Sequence, residues 1–211
     1  MTKPYKKKLI EVAIPLEAIN AASMHEKSVK QGHPSSLHQW WARRPLAACR
    51  AVLFAQLVDD PSAHPEEFPT HLEQETERRR LFSIIEDLVK WENSANKEVI
   101  ERAQNEIRRS CDGLLPQIYD PFSGAASIPL EAQRLGLPSY GSDLNPVAVM
   151  IGKAIVELPQ IFNNFPPINP ELNKNKLKKY LFTYRGAQGL SADVRYYGAR
   201  IKEMAEKLAG R

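Results

Sequence analysis

The chain has 211 residues, 43% hydrophobic and 26% charged, with a net charge of +4 and two cysteines. This is an ordinary globular composition, long enough for one domain or for one domain with a helical appendage. No membrane span is expected, because no apolar run approaches the roughly 18 residues one needs, and no secretory leader is expected, because no apolar core follows the basic N-terminus.

The charge is uneven. Residues 1–58 hold nine Lys/Arg against three acids, residues 59–112 hold eight against fourteen, and residues 113–211 hold twelve against eight. Two basic ends flanking an acidic middle permit a polyanionic partner. Cys49 and Cys111 show no metal-ligand spacing and read as reduced thiols of a cytoplasmic protein; no metal site is expected.

In chain order, residues 1–8 form a basic tail and Leu9 to Ile14 a short strand or turn. Pro15 starts a helix with Leu16, Ile19 and Ala22 on one face. Then comes His33-Pro34-Ser35-Ser36-Leu37-His38-Gln39-Trp40-Trp41-Ala42-Arg43-Arg44-Pro45. Adjacent tryptophans, two arginines and a proline suit a loop carrying aromatic and basic groups towards nucleic acid. The bland reading puts one tryptophan in the core and Arg50 at the surface. Pro45 starts a helix with Leu46, Cys49, Val52, Leu53 and Leu57 at helical spacing. Residues 59–75 read as an acidic linker, with His64 and His71 as surface residues. Residues 76–110 read as a helical hairpin: Leu81, Ile84, Ile85, Leu88 and Trp91 form one stripe, Val99, Ile100, Ala103 and Ile107 the other.

Gln117 to Asn145 is the informative stretch. A short buried strand through Gln117–Tyr119 is expected to run into Asp120-Pro121-Phe122-Ser123-Gly124, a tight loop. Ser127 reads as an N-cap, Leu130, Ala132 and Leu135 face a sheet, and Gly136 closes the helix. Ser139 to Ser142 is a second strand, with Asp143 at its end. Pro146 starts a third helix. Residues 159–176 are loop-like, Lys174 to Lys179 is a solvated basic run, and Val194, Tyr197, Ile201, Ala205 and Leu208 mark a final amphipathic helix.

A P-loop needs a lysine that this loop lacks, and a dinucleotide fingerprint needs glycine where Pro129 stands. S-adenosyl-L-methionine requires a loop of close backbone approach and a carboxylate for its ribose. Gly124 and Asp143, 19 residues apart, fit those needs.

Asp120-Pro121-Phe122-Ser123-Gly124 with Ile128-Pro129-Leu130-Glu131-Ala132 resembles the first motif of amino-methyltransferases, DPFxGxGxxxxEA, departing at Ala126 where the pattern has glycine. Ser142-Asp143-Leu144-Asn145-Pro146 resembles their acidic second motif. Together with residues 9–20 and 33–45, the chain resembles the N-terminal part of large adenine-specific DNA methylases, which often lie in anti-phage defence loci. The resemblance implies that Asp120, Phe122 and Gly124 line the cofactor loop, Asp143 binds the ribose, and Leu144 and Asn145 flank the adenine ring. It further implies that His33, Pro34 and Ser35 hold the methionine end, while Trp40, Trp41, Arg43 and Arg44 face DNA.

The family's catalytic Asp/Asn-Pro-Pro-Tyr, which receives a flipped adenine, has no convincing match. Asn164-Phe165-Pro166-Pro167-Ile168 puts Phe165 at the acceptor position, so no catalytic residue is assigned. The expectation is an α/β chain with a partial Rossmann-like methyltransferase fold, a largely helical N-terminal region and an inserted helical hairpin. Its divisions fall at 1–58, 59–112 and 113–211. It is an N-terminal piece that binds the methyl donor and leaves transfer to the remaining part of the methyltransferase, with DNA as substrate. The competing expectations are an RNA methyltransferase fragment and a non-catalytic nucleic-acid-binding or assembly module.

Overall fold

A computed structural model describes residues 5–29, 38, 40–42, 44–173 and 184–210. The contacts divide the chain into two units, Met1–Gly152 and Lys153–Arg211.

The first unit is built around one helix. α1 (Leu9–Val12) and α2 (Leu16–Ser28) precede α3 (Leu46–Leu57), and α4 (His71–Val89) and α5 (Lys97–Ser110) follow it. α3 packs against α1, α2, α4 and α5. Its sequence, LAACRAVLFAQL, explains why: an apolar stripe broad enough for several neighbours needs a helix that is apolar most of the way round. Alanines at 47, 51 and 55 are buried and let the other helices approach, while Phe54 fills the centre. Val52, expected on the buried stripe, is exposed instead.

The hairpin forms, but α4 begins at His71, within the stretch expected to be a linker, and Trp91 lies on a separate turn beyond its end. Thr70 and Glu73 make a reciprocal capping box at the start of α4, and Asn96 caps α5 through the Glu98 N–H. Leu81, Ile84, Ile85 and Leu88 from α4, and Val99, Ala103 and Ile107 from α5, join the same core as Leu9, Ile19 and Phe54. Leu9 to Ile14 contains a helix in place of the short strand or turn. The Lys8 N–H donates to the Glu11 carboxylate to close that helix, and Lys8 forms an isolated antiparallel bridge with Asp59.

β1 (Ile118–Asp120), α6 (Ser127–Arg134) and β2 (Ser139–Gly141) form a βαβ unit with parallel strands, Tyr119 opposite Tyr140. α6 packs on both strands and on α3, so it lies between sheet and helical core. Ala132 and Leu135 are fully buried there. Gly136 takes φ +72 and Leu137 N–H returns to Ala132 O, a left-handed helix stop that suits glycine. β1 is not the buried strand expected: none of its residues is fully buried, and Tyr119, like Tyr140 opposite it, is exposed. α7 (Pro146–Gly152) completes the unit.

In the second unit a π-helical segment at Lys153–Glu157 leads to α8 (Leu158–Ile161), α9 (Pro170–Asn173) and α10 (Gln188–Leu208). Asp193 on α10 accepts the N–H groups of Ile168 and Asn169, and Gly189 lies so close to the Phe165 carbonyl that no side chain would fit. Val194, Tyr197, Ile201, Ala205 and Leu208, the expected apolar stripe, lie on α10, and all are exposed.

Candidate cofactor loop and its tryptophan neighbour

The loop after β1 is fixed largely by its own backbone. The Asp120 carboxylate accepts the Phe122 N–H at 3.1 Å, and Ser123 O accepts the Ala126 N–H at 2.7 Å. Gly124 takes φ +48 and Ala126 takes φ +59, ψ 30. Both are left-handed, the region where a Cβ meets the following carbonyl oxygen. Ala126 therefore stands where glycine would be unstrained. Ala126, not Ser127, is the residue before α6, and it makes no side-chain cap.

Asp143, at the end of β2, ties the loop to the second strand. Its Oδ2 accepts the Gly124 N–H and its Oδ1 accepts the Asn145 N–H, each at 2.8 Å. Hydrogen bonds from Asn145 first and Gly124 second hold its carboxyl below the ordinary value. The Leu144 N–H adds a weaker third contribution, and the side chain is half-exposed. The carboxylate therefore remains open to a further hydroxyl donor. Asn145 caps α7 by accepting the Val147 N–H at 2.9 Å. Leu144 is 96% exposed and Phe122 80% exposed, two apolar side chains presented to solvent at the loop.

Trp40 stands beside this loop. A Cβ built on Gly124 would lie 2.7 Å from the indole nitrogen and 3.1 Å from its Cδ1. Trp41 meets Trp40 edge-on at 4.9 Å between ring centroids, and His38 lies 6.2 Å from Trp40. Trp41 is 88% exposed. The structure thus gathers Asp120, Phe122, Gly124, Asp143, Leu144, Asn145, Trp40 and Trp41 around one loop. Arg44 is exposed at the approach to α3. His33, Pro34, Ser35 and Arg43 lie outside the described residues.

Two residues take places the sequence reading missed. Arg50 is 3% exposed rather than at the surface: its Nε donates to Glu131 Oε2 and its Nη1 to Leu88 O, both at 2.5 Å. Glu131 is 0% exposed. Arg134 Nη1 lies 3.3 Å from Glu131 Oε1, with its guanidinium 5.0 Å from the Trp91 ring centroid. Burial pushes the Glu131 carboxyl up, against the opposing pull of Arg50 and Arg134. A lone arginine in an otherwise uncharged helix was the available signal, because a buried charge requires a partner. His64 is also half-buried, its Nε2 3.0 Å from Asp59 Oδ2.

A cavity of about 420 Å³ is lined by Ala18, Ala22, Glu26, Arg50, Val89 and Trp91, away from Gly124 and Asp143. Among the described residues no His, Cys, Asp or Glu cluster suits a metal ion. No described helix is long and apolar enough to cross a membrane. Asn164, in the Pro-Pro segment, takes φ +63 and is occupied internally, accepting the Gly186 N–H at 2.8 Å.

Residues 13–84 match a family model described as "Protein of unknown function (DUF1156)". The matched stretch holds α2, Trp40 and α3, and ends within α4, short of the glycine loop. No curated protein and no solved structure matches the chain.

Proposed function

We propose that the chain is the cofactor-binding N-terminal portion of an S-adenosyl-L-methionine-dependent DNA methyltransferase acting on the exocyclic N6 of adenine. The observation that carries this reading is the Gly124–Asp143 hydrogen bond. It joins a glycine loop at the end of one parallel strand to a carboxylate at the end of the next. Ligands of open α/β sheets bind outside the carboxyl ends of the strands. A nucleoside cofactor without phosphates suits a loop that has a carboxylate and no lysine.

In this reading Asp143 holds the ribose hydroxyls, Leu144 and Asn145 flank the adenine, and Asp120, Phe122 and Gly124 shape the loop. His33, Pro34 and Ser35 hold the methionine end. The bound cofactor supplies an electrophilic methyl group; this chain's residues orient it and shield it. Trp40, Trp41, Arg43 and Arg44 present aromatic and cationic surface to DNA, where stacking and phosphate contacts give affinity. The partner that completes the site supplies the base pocket, and the protein works in the cytoplasm.

Titration calorimetry with S-adenosyl-L-methionine tests the reading. Binding is expected in the 211-residue chain and is expected to vanish in Asp143→Ala. Absence of binding, with the fold intact by circular dichroism, would refute it. A tritiated-methyl assay on DNA and RNA, with the completing partner added, identifies the substrate; label on RNA alone would exclude the DNA assignment.

A further inference from the structure

We infer that Arg50 and Glu131 are a positioning pair that sets Trp40 against the glycine loop. The inference deepens the methyl-donor reading of that loop and rests on it for its functional meaning.

The two residues occupy matched places. α3 begins at Leu46, directly after the segment carrying Trp40, Trp41 and Arg44; α6 begins at Ser127, directly after Gly124 and Ala126. Arg50 and Glu131 each sit one turn inside their helix, facing each other across the α3–α6 contact. One ion pair therefore joins the roots of the two segments that form the site, although 81 residues separate its members.

Stability does not account for such a pair. Burying two charges costs desolvation that their attraction scarcely returns, and well-packed apolar residues serve a core as well or better. The arrangement is not optimised for strength either: Glu131 Oε1 and Arg134 Nη1 form a buried ion pair at 3.3 Å that lacks hydrogen-bond geometry. What a planar guanidinium adds is direction. Arg50 is held to Glu131 on one side and to the Leu88 carbonyl on the other. Its plane, and with it the azimuth and axial register of α3 on α6, is set by hydrogen bonds. Apolar ridges alone would tolerate sliding. A small slide would be felt at once where Trp40 meets Gly124, because that approach leaves no room for a methyl group.

The test uses the full chain in a W41F/W91F background, so that Trp40 is the sole indole reporter. Three quantities are measured: the thermal midpoint, acrylamide quenching of Trp40, and calorimetric affinity for S-adenosyl-L-methionine. In the R50M/E131L double variant the protein is expected to remain folded. Trp40 quenching should roughly double as the indole leaves its contact, and cofactor affinity should fall by about tenfold. L81A, a core truncation remote from the loop, should lower the midpoint and leave Trp40 quenching unchanged. A folded double variant with unchanged Trp40 quenching overturns the inference. If that variant does not fold, the same reading on R50K decides, because lysine keeps the charge and loses the planar fork, and unchanged quenching there overturns it equally. Trp40 quenching needs no cofactor, so a chain that binds none would sink the methyl-donor reading separately.

Discussion

Substituting Gly124 by alanine tests the geometry of the candidate site most directly. Two independent costs are expected. The first is backbone strain: Gly124 sits at φ +48, and an L-residue in the left-handed region costs about 1–2 kcal/mol. The second is steric, because the new Cβ would lie 2.7 Å from the Trp40 indole nitrogen. Overpacking of that kind costs about 1–3 kcal/mol. The sum is about 2–5 kcal/mol in the native background. Removing the indole separates the parts: in W40A only the backbone cost should remain, so the two substitutions should couple by about 1–3 kcal/mol. Urea unfolding of the wild type, both single variants and the double variant, followed by far-ultraviolet circular dichroism, gives the cycle. Glycine-to-alanine costs that are equal with and without Trp40 would refute the packing of the tryptophan on the loop.

Ala126 offers a second probe of the loop. Ala126→Gly relieves left-handed strain of about 1 kcal/mol but removes a buried methyl worth about 0.8 kcal/mol, so unfolding midpoints should barely move. Ala126→Val, β-branched at positive φ, should lose at least about 2 kcal/mol; a neutral valine would contradict the loop conformation. The Cys49 thiol is pushed up to about 12 by burial, with Glu131 and Glu26 adding to the effect. Iodoacetamide at neutral pH should therefore modify Cys49 only after unfolding, as read by mass spectrometry, with the less buried Cys111 reacting first. Asp60 accepts two hydrogen bonds from Arg78 at 2.8 Å. Burial alone would raise its pKa, but hydrogen bonds from Arg78 and Ser62 prevail and hold it below its ordinary 3.8. A depressed carboxylate stabilises above its unfolded pKa and loses that contribution as pH falls through the folded value. Asp60→Asn should thus cost about 3 kcal/mol at neutral pH, with the gap to wild type narrowing as pH falls below the ordinary carboxylate value of 3.8. A constant gap across that range in urea midpoints would contradict the pairing.

Much of the secondary structure was legible because it is written locally. Pro15 and Pro45 stand immediately before α2 and α3, the hairpin stripes have helical period, and Gly136 ends α6 at positive φ. The strand–loop–helix–strand order around Gly124, and the carboxylate at the end of β2, follow from turn chemistry and spacing. What sequence did not show is non-local. Arg50 and Glu131 gain meaning only from each other, and His64 from Asp59. α1 is too short for a period, and its bridge to Asp59 crosses 51 residues of sequence. The burial of Ala47 and Ala51 in place of Val52 reflects which neighbours surround α3, a matter of tertiary geometry. Serine at 127 suggested a side-chain cap, but the tight turn places Ala126 there, so loop conformation overrode residue preference.

The placement of α6 between the strands and α3 has a consequence for the order of folding. The contacts of α3 with α2 and α4, and of α4 with α5, join segments near one another in sequence. Such contacts form early, because short loops cost little entropy to close. The glycine loop depends on contacts of another kind: α6 must find α3 across roughly 80 residues, and β2 must return beside β1 through a crossover. The helical core is therefore expected to assemble first and serve as the template on which the loop is cast. Hydrogen-exchange pulse labelling would then find amides of α3 to α5 protected before those of Ser123 to Leu130. The part of the molecule that holds the Trp40 segment would exist before the loop it touches.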